Sequence, residues 1–223
     1  MITAQDWLLD APAGRDPDAV PLLILAHGAG AGMRGAFMEK MTRRLIDRGL
    51  AVARFNFAYM ARAEREGRRI APPRAERLMD EYRVRVAYWT ERGRRPFIGG
   101  KSMGGRVASM LADELFAADA ISGLVCLGYP FHPPGRPRNL RTDHLKSLRA
   151  PALVCQGDRD PFGRRDEVEG YALSDTIRFC WLPDGDHDFK PRVKSGETWA
   201  GNMDMAADCV ADFIGARMNA SDA

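Results

Sequence analysis

Six short and largely apolar runs, at 21–26, 50–55, 95–99, 121–127, 151–156 and 177–182, constrain this chain more than any other feature. Pro21-Leu22-Leu23-Ile24-Leu25-Ala26 is the clearest of them. A continuous apolar run of that length suits a strand covered on both faces, whereas a strand wetted on one face alternates apolar with polar residues. Between the runs, apolar residues recur at helical spacing: Met38, Met41, Leu45 and Ile46, then Leu78, Tyr82, Val86 and Trp89, then Val107, Met110, Leu111 and Leu115. Further helices are expected at 164–172 and 200–217, and Ile2–Leu9 is expected as a first edge strand. Polar connections are expected at 11–21 and 58–73, and a rigid proline-rich loop at 128–137. Strands alternating with helices give an α/β fold, a mostly parallel sheet with helices on both faces. A length of 223 residues suits one such domain, 1–223, with no internal repeat.

In sheets of this kind, functional residues collect in loops beyond the carboxyl ends of the strands. Gly100-Lys101-Ser102-Met103-Gly104 follows one strand and opens a helix, so Ser102 falls on a sharp strand-to-helix turn, the geometry of a nucleophile elbow. A serine hydroxyl is a poor nucleophile and needs a base, and neighbouring glycines let the backbones pass closely enough to present it. Asp158 and Asp160 follow a later strand, and His187 follows the last one. The order along the chain is Ser, Asp, His. Of the other histidines, His27 ends a strand and reads as a loop brace, while His132 and His144 lie in or after the proline-rich loop. Asp186 and Asp188 read as loop caps, because a carboxylate adjacent in sequence is badly placed to reach its neighbour's ring.

Composition narrows the remaining classes. With 33 Lys and Arg against 30 Asp and Glu, the net charge of +3 does not point to nucleic acid. The densest basic stretch, Arg62–Arg77, also holds Glu64, Glu66 and Glu76 and reads as a solvated surface. No run is long enough to span a bilayer, and the N-terminus lacks the charged start and apolar block of a secretion signal, so a cytoplasmic location is expected. The glycine-rich loop 28–32 lacks both the dinucleotide and the P-loop spacing, so no nucleotide is expected. Cys126, Cys155, Cys180 and Cys209 sit singly in apolar segments and read as buried free thiols, with no metal site implied.

The segments His27-Gly28-Ala29-Gly30-Ala31-Gly32-Met33, Arg54-Phe55-Asn56-Phe57, Gly100–Gly105, 129–135, Gln156–Gly163 and Asp186-His187-Asp188-Phe189 together resemble the α/β-hydrolase fold family. The closer likeness is to its small dienelactone-hydrolase-like branch, grouped with testis-expressed hydrolase-like proteins and a histone-acetyltransferase-complex subunit. The resemblance implies a serine hydrolase of an ester, thioester or related acyl bond, with no cofactor; the connections after the elbow are too short to fold as a cap domain, so small soluble substrates are expected. It assigns Ser102 as nucleophile, His187 as base and Asp160, which precedes Pro161, as the acid in preference to Asp158. It also implies an oxyanion hole built from the backbone N–H groups of Ala29 and Met103. Phe57, Tyr129, Phe131 and Phe162 follow strand ends and are expected to form the apolar wall of the substrate site. Lys101 reads as structural or neutral, with recognition of an anionic substrate as its alternative. Some relatives in this branch serve as subunits of complexes, so a non-catalytic interaction module is the competing reading.

Overall fold

The computed structural model of the protein describes residues 2–221. Seven strands form one sheet: β1 (Leu8–Asp10), β2 (Leu22–Ala26), β3 (Ala51–Phe55), β4 (Phe97–Lys101), β5 (Gly123–Leu127), β6 (Ala152–Gly157) and β7 (Ile177–Leu182), in the spatial order β1-β3-β2-β4-β5-β6-β7. Only β1 runs antiparallel, at the edge beside β3. Every residue of β2 through β6 is buried, as expected for strands covered on both faces.

The helices are α1 (Ala36–Ile46), α2 (Ala58–Glu66), α3 (Met79–Thr90), α4 (Met103–Ala117), α5 (Arg165–Val168) and α6 (Trp199–Ser221). Alternation along each strand distributes the core between two layers. Leu23, Leu25, Val52, Val125, Leu153 and Leu182 face α1 and α6, meeting Met38, Met41, Leu45, Met203, Val210 and Ile214. Their sequence neighbours Leu22, Ile24, Ala53, Ile98, Leu124 and Val154 face the opposite layer, with Tyr82 and Val86 of α3 and Val107 and Leu111 of α4. Period-2 strands and period-3.6 helices are thus satisfied together. No separate cap domain overlies the sheet, and among the described residues no helix is long and apolar enough to cross a membrane.

Several expectations change. The segment 58–73 contains α2, whose Tyr59 and Met60 are buried and which ends on Gly67 at φ 63°, the left-handed helix stop that glycine favours. On this helix Arg62 pairs with Glu66 at 2.7 Å, Glu66 also meets Arg68 just past the helix, and Glu64 accepts from Asn56. The helix expected through Leu78–Trp89 is entered by a 3-10 turn at Ala75–Leu78, and the one expected at 164–172 is the single turn of α5. The reading of four free thiols is corrected. Cys180 of β7 and Cys209 of α6 form a disulfide, with Cα atoms 6.4 Å apart, while Cys126 and Cys155 are free and buried.

Candidate active site

The chain proceeds from β2 to β3 in one direction and from β4 to β5 in the other, so a crevice opens where the carboxyl ends of β2 and β4 lie side by side. Ser102 and the glycine loop 28–32 occupy that crevice. Ser102 has φ 52° and ψ −115°, a conformation that costs a non-glycine residue about 1–3 kcal/mol and persists only where the surroundings enforce it. The enforcement is steric. A Cβ at Gly100 would lie 2.5 Å from the Gly104 carbonyl carbon, and one at Gly104 would lie 2.5 Å from the Ala26 carbonyl oxygen. Both contacts are with backbone, so only glycine admits this turn.

Oγ of Ser102 lies 2.8 Å from Nε2 of His187, and Nδ1 of His187 lies 2.7 Å from Oδ2 of Asp160. An ionised carboxylate only accepts, so the imidazole carries its proton on Nδ1 and presents Nε2 as an acceptor to the serine hydroxyl. Asp160 is fully buried, yet its oxygens are supplied with donors. Oδ1 accepts from the Phe162 N–H at 2.8 Å, and Oδ2 accepts from Gln156 Nε2 at 2.9 Å as well as from the histidine. Those bonds offset the desolvation that would otherwise penalise a buried charge. The rival Asp158 makes no bond to His187; its Oδ1 is buried without a partner. Asp186 caps the histidine loop, accepting from the N–H groups of Asp188 and Lys190 at 2.8 and 2.9 Å.

The glycine loop is braced from below. His27 accepts from the Phe57 N–H at Nε2, 3.1 Å, and so donates from Nδ1 to the Gly28 carbonyl, 2.7 Å. Complete burial pushes its pKa down to about 4, which keeps the ring neutral and this pair of bonds intact near neutrality. In a trans peptide the C=O and the following N–H point in opposite directions, so the N–H of Ala29 is aimed away from the His27 ring. Met103 is the first residue of α4, where helix N–H groups lack intrahelical partners. Arg54 and Asn56 complete the brace. Arg54 donates to the Met33 carbonyl at 2.8 Å, and Asn56 accepts from the Met33 N–H at 2.8 Å.

A pocket of about 440 Å³ opens over Ser102, lined by Gly28–Ala31, Phe37, Met38, Lys101, Phe162, His187, Asp188, Lys190 and Trp199. Phe162 lies against the His187 ring, centroids 4.2 Å apart. The other three aromatics assigned to the wall do not line it. Phe57, Tyr129 and Phe131 are fully buried beneath their loops, Phe57 against Phe55 and His27, and Tyr129 against Phe131. Residue order along a loop does not tell whether a side chain points up into the crevice or down into the core. Phe37 and Trp199 supply aromatic surface instead, each near the start of the helix that follows a site loop, a position that is readable in the sequence. Gln156 and Lys101 are further residues whose contacts the sequence did not disclose.

A second serine–histidine contact exists away from the crevice. Ser109 on α4 lies 2.8 Å from His144 Nε2, but it is buried and donates to the Arg106 carbonyl, and no carboxylate bonds the His144 ring. Among the described residues no group of three or more His, Cys, Asp or Glu side chains is arranged to hold a metal.

The family model described as "Alpha/beta hydrolase domain" matches residues 19–215. Among solved structures, Est1E from Butyrivibrio proteoclasticus with ferulic acid bound is similar at a TM-score of 0.69 and 15% identity, covering 96% of this chain and 95% of that one. A dienelactone hydrolase from Anabaena variabilis matches at 0.66 and 20% identity, covering 94% and 90%. A serine hydrolase without a lid from Xanthomonas campestris matches at 0.62 and 22% identity, covering 92% and 88%. At such identities the likeness is one of fold.

Proposed function

The chain belongs to the α/β hydrolase family, and from that premise we propose that it is a serine hydrolase cleaving an ester, thioester or related acyl bond of a small substrate through an acyl-enzyme intermediate. The observation that carries this reading is the continuous hydrogen-bonded line from Ser102 through His187 to Asp160, open at its serine end to the pocket.

Ser102 Oγ attacks the substrate carbonyl carbon while its proton passes to Nε2 of His187. The imidazolium so formed faces the Asp160 carboxylate, which holds the ring in register and stabilises its charge. The carbonyl oxygen becomes an oxyanion and takes up hydrogen bonds from the Ala29 and Met103 N–H groups, which are fixed beforehand by the His27 brace and the start of α4. Collapse of this intermediate expels the leaving group, which receives the proton from Nε2. Water, deprotonated by the same nitrogen, then releases the acyl group and regenerates Ser102. Phe162, packed on the imidazole, and Phe37 offer apolar surface to the acyl or alcohol portion.

A fluorophosphonate probe tests the reading. Wild-type protein is expected to be labelled on Ser102, and Ser102→Ala to lose both labelling and hydrolysis of activated esters by on the order of a thousandfold or more. Folded wild-type protein that takes no label would sink the enzyme reading and leave the interaction module.

A further inference from the structure

Lys101, the residue immediately before the nucleophile, is buried to 6% exposure at the end of β4. A buried ammonium needs acceptors, and Lys101 finds them across the mouth of the sheet. Nζ donates to the main-chain carbonyl of His187 at 2.5 Å and lies 3.4 Å from Oδ1 of Asp188. It also sits 5.1 Å from the centre of the Phe37 ring, within range for a cation–π attraction. The path to His187 is left open by a glycine. A Cβ at Gly128, just beyond β5, would lie 3.1 Å from Nζ and 2.9 Å from the His187 carbonyl oxygen. The stem of Lys101 runs beside the oxyanion loop, since a Cβ at Gly28 would lie 3.6 Å from Lys101 Cγ. One side chain therefore touches the histidine loop and the glycine loop while adjoining Ser102 in sequence.

We propose that Lys101 is a positioning residue for His187, whose buried ammonium pins the histidine main chain so that Nε2 faces Ser102 and whose charge disfavours the imidazolium in the resting protein. This rests on the serine-hydrolase reading above. The His187 loop follows β7, a strand paired only with β6, and Lys101 is a direct side-chain tie from that loop to the central strand bearing the nucleophile. Its charge acts among few others. The ionisable groups around it are Asp160 after β6 and Asp186, His187, Asp188 and Lys190 of the histidine loop, with the neutral His27 ring below the glycine loop. The rings facing its ammonium are Phe37 of α1 at 5.1 Å and Phe189 of the histidine loop at 6.0 Å. Burial pulls the Lys101 pKa below its usual value while the three carboxylates Asp188, Asp160 and Asp186 oppose that pull. Both of its near neighbours are acceptors, which suits the protonated amine.

The test follows the rate of fluorophosphonate labelling between about pH 5 and pH 9, a measurement that needs His187 as base but no knowledge of the substrate. Lys101→Met removes donor and charge; the rate is expected to fall on the order of tenfold to a hundredfold, and the acid limb to move upwards by about half to one pH unit as the imidazolium loses a repelling neighbour. Lys101→Gln retains an N–H donor without charge, so it should recover part of the rate while keeping the displaced limb. Wild-type rate and limb in either variant would overturn the proposal, and so would a slower rate with an unmoved limb, which denotes only disturbed packing. If Lys101→Met does not fold, the limb of Lys101→Gln decides alone. Labelling of Ser102→Ala at the wild-type rate would instead remove the underlying hydrolase reading, so the two failures are distinct.

Discussion

Two carboxylates separated by a single residue have opposite environments, and the difference can be read kinetically. Asp160 is buried, bonded to His187 and fixed by Gln156 and Phe162, whereas Oδ1 of Asp158 is buried without a partner. Asp160→Asn is expected to slow ester hydrolysis on the order of a thousandfold or more, because an amide presented to Nδ1 favours the wrong tautomer. Asp158→Asn should stay within a few-fold; comparable losses in the two variants, measured side by side, would reverse the assignment. His27 gives a second residue-scale outcome. Burial holds its pKa down at about 4 in the fold against 6.5 for a free imidazole, so between those values the unfolded chain binds the proton that the folded one refuses. The fold is free of this penalty above about pH 6.5 and loses up to about 3 kcal/mol as pH falls through about 4. Urea unfolding of wild type and His27→Gln across that window measures it, and the variant should show the flatter profile.

At the scale of elements, the disulfide ties β7 to α6 over a sequence separation of 29. Closing a loop of that size stabilises a fold by about 3–4 kcal/mol in the chain-entropy account. Thiol titration of denatured protein should find two of the four cysteines without reductant and all four with it, and Cys180→Ser should lower the melting temperature. Two titrating only after reduction is the decisive count. The pairing was illegible in the sequence because rules for cysteine spacing see near neighbours, and Cys180 and Cys209 meet only after a strand and a helix have packed. Strands β2 to β7 were legible to within two residues, since each is a local apolar run closed by glycine or polar residues, whereas the edge strand expected at Ile2–Leu9 is a 3-10 turn at Ala4–Asp6 followed by β1 at Leu8–Asp10. The same logic marked Ser102, His187 and the pair Asp158 and Asp160 as candidates, being polar residues just beyond strand ends, and only the family resemblance preferred Asp160. Helix α2 was hidden because only Tyr59 and Met60 are buried and its four charged residues look like those of a loop. Lys101 was hidden for the opposite reason: its partner is a main-chain carbonyl, which leaves no trace in residue identity.

For the whole molecule, no separate cap domain covers the pocket of about 440 Å³ over Ser102, which on the proposed function bounds the acyl chain it can take. A series of p-nitrophenyl esters is expected to peak at acyl chains of about two to four carbons and to decline on the order of tenfold by twelve, without interfacial activation. Activity climbing through the long chains would show that the pocket continues into a tunnel. The sheet order also bears on how the molecule fails, although the disulfide to α6 holds β7 more firmly than the other edge strand, β1. Ser102 directly follows β4, a strand paired on both sides, while His187 follows β7, an edge strand paired among the described residues with β6 alone. On warming, the outermost strand should part before the middle of the sheet does, carrying the imidazole off while the serine remains on its elbow. Loss of turnover would then be the first symptom of heat, and on brief exposure a curable one, arriving while most of the protein is still folded.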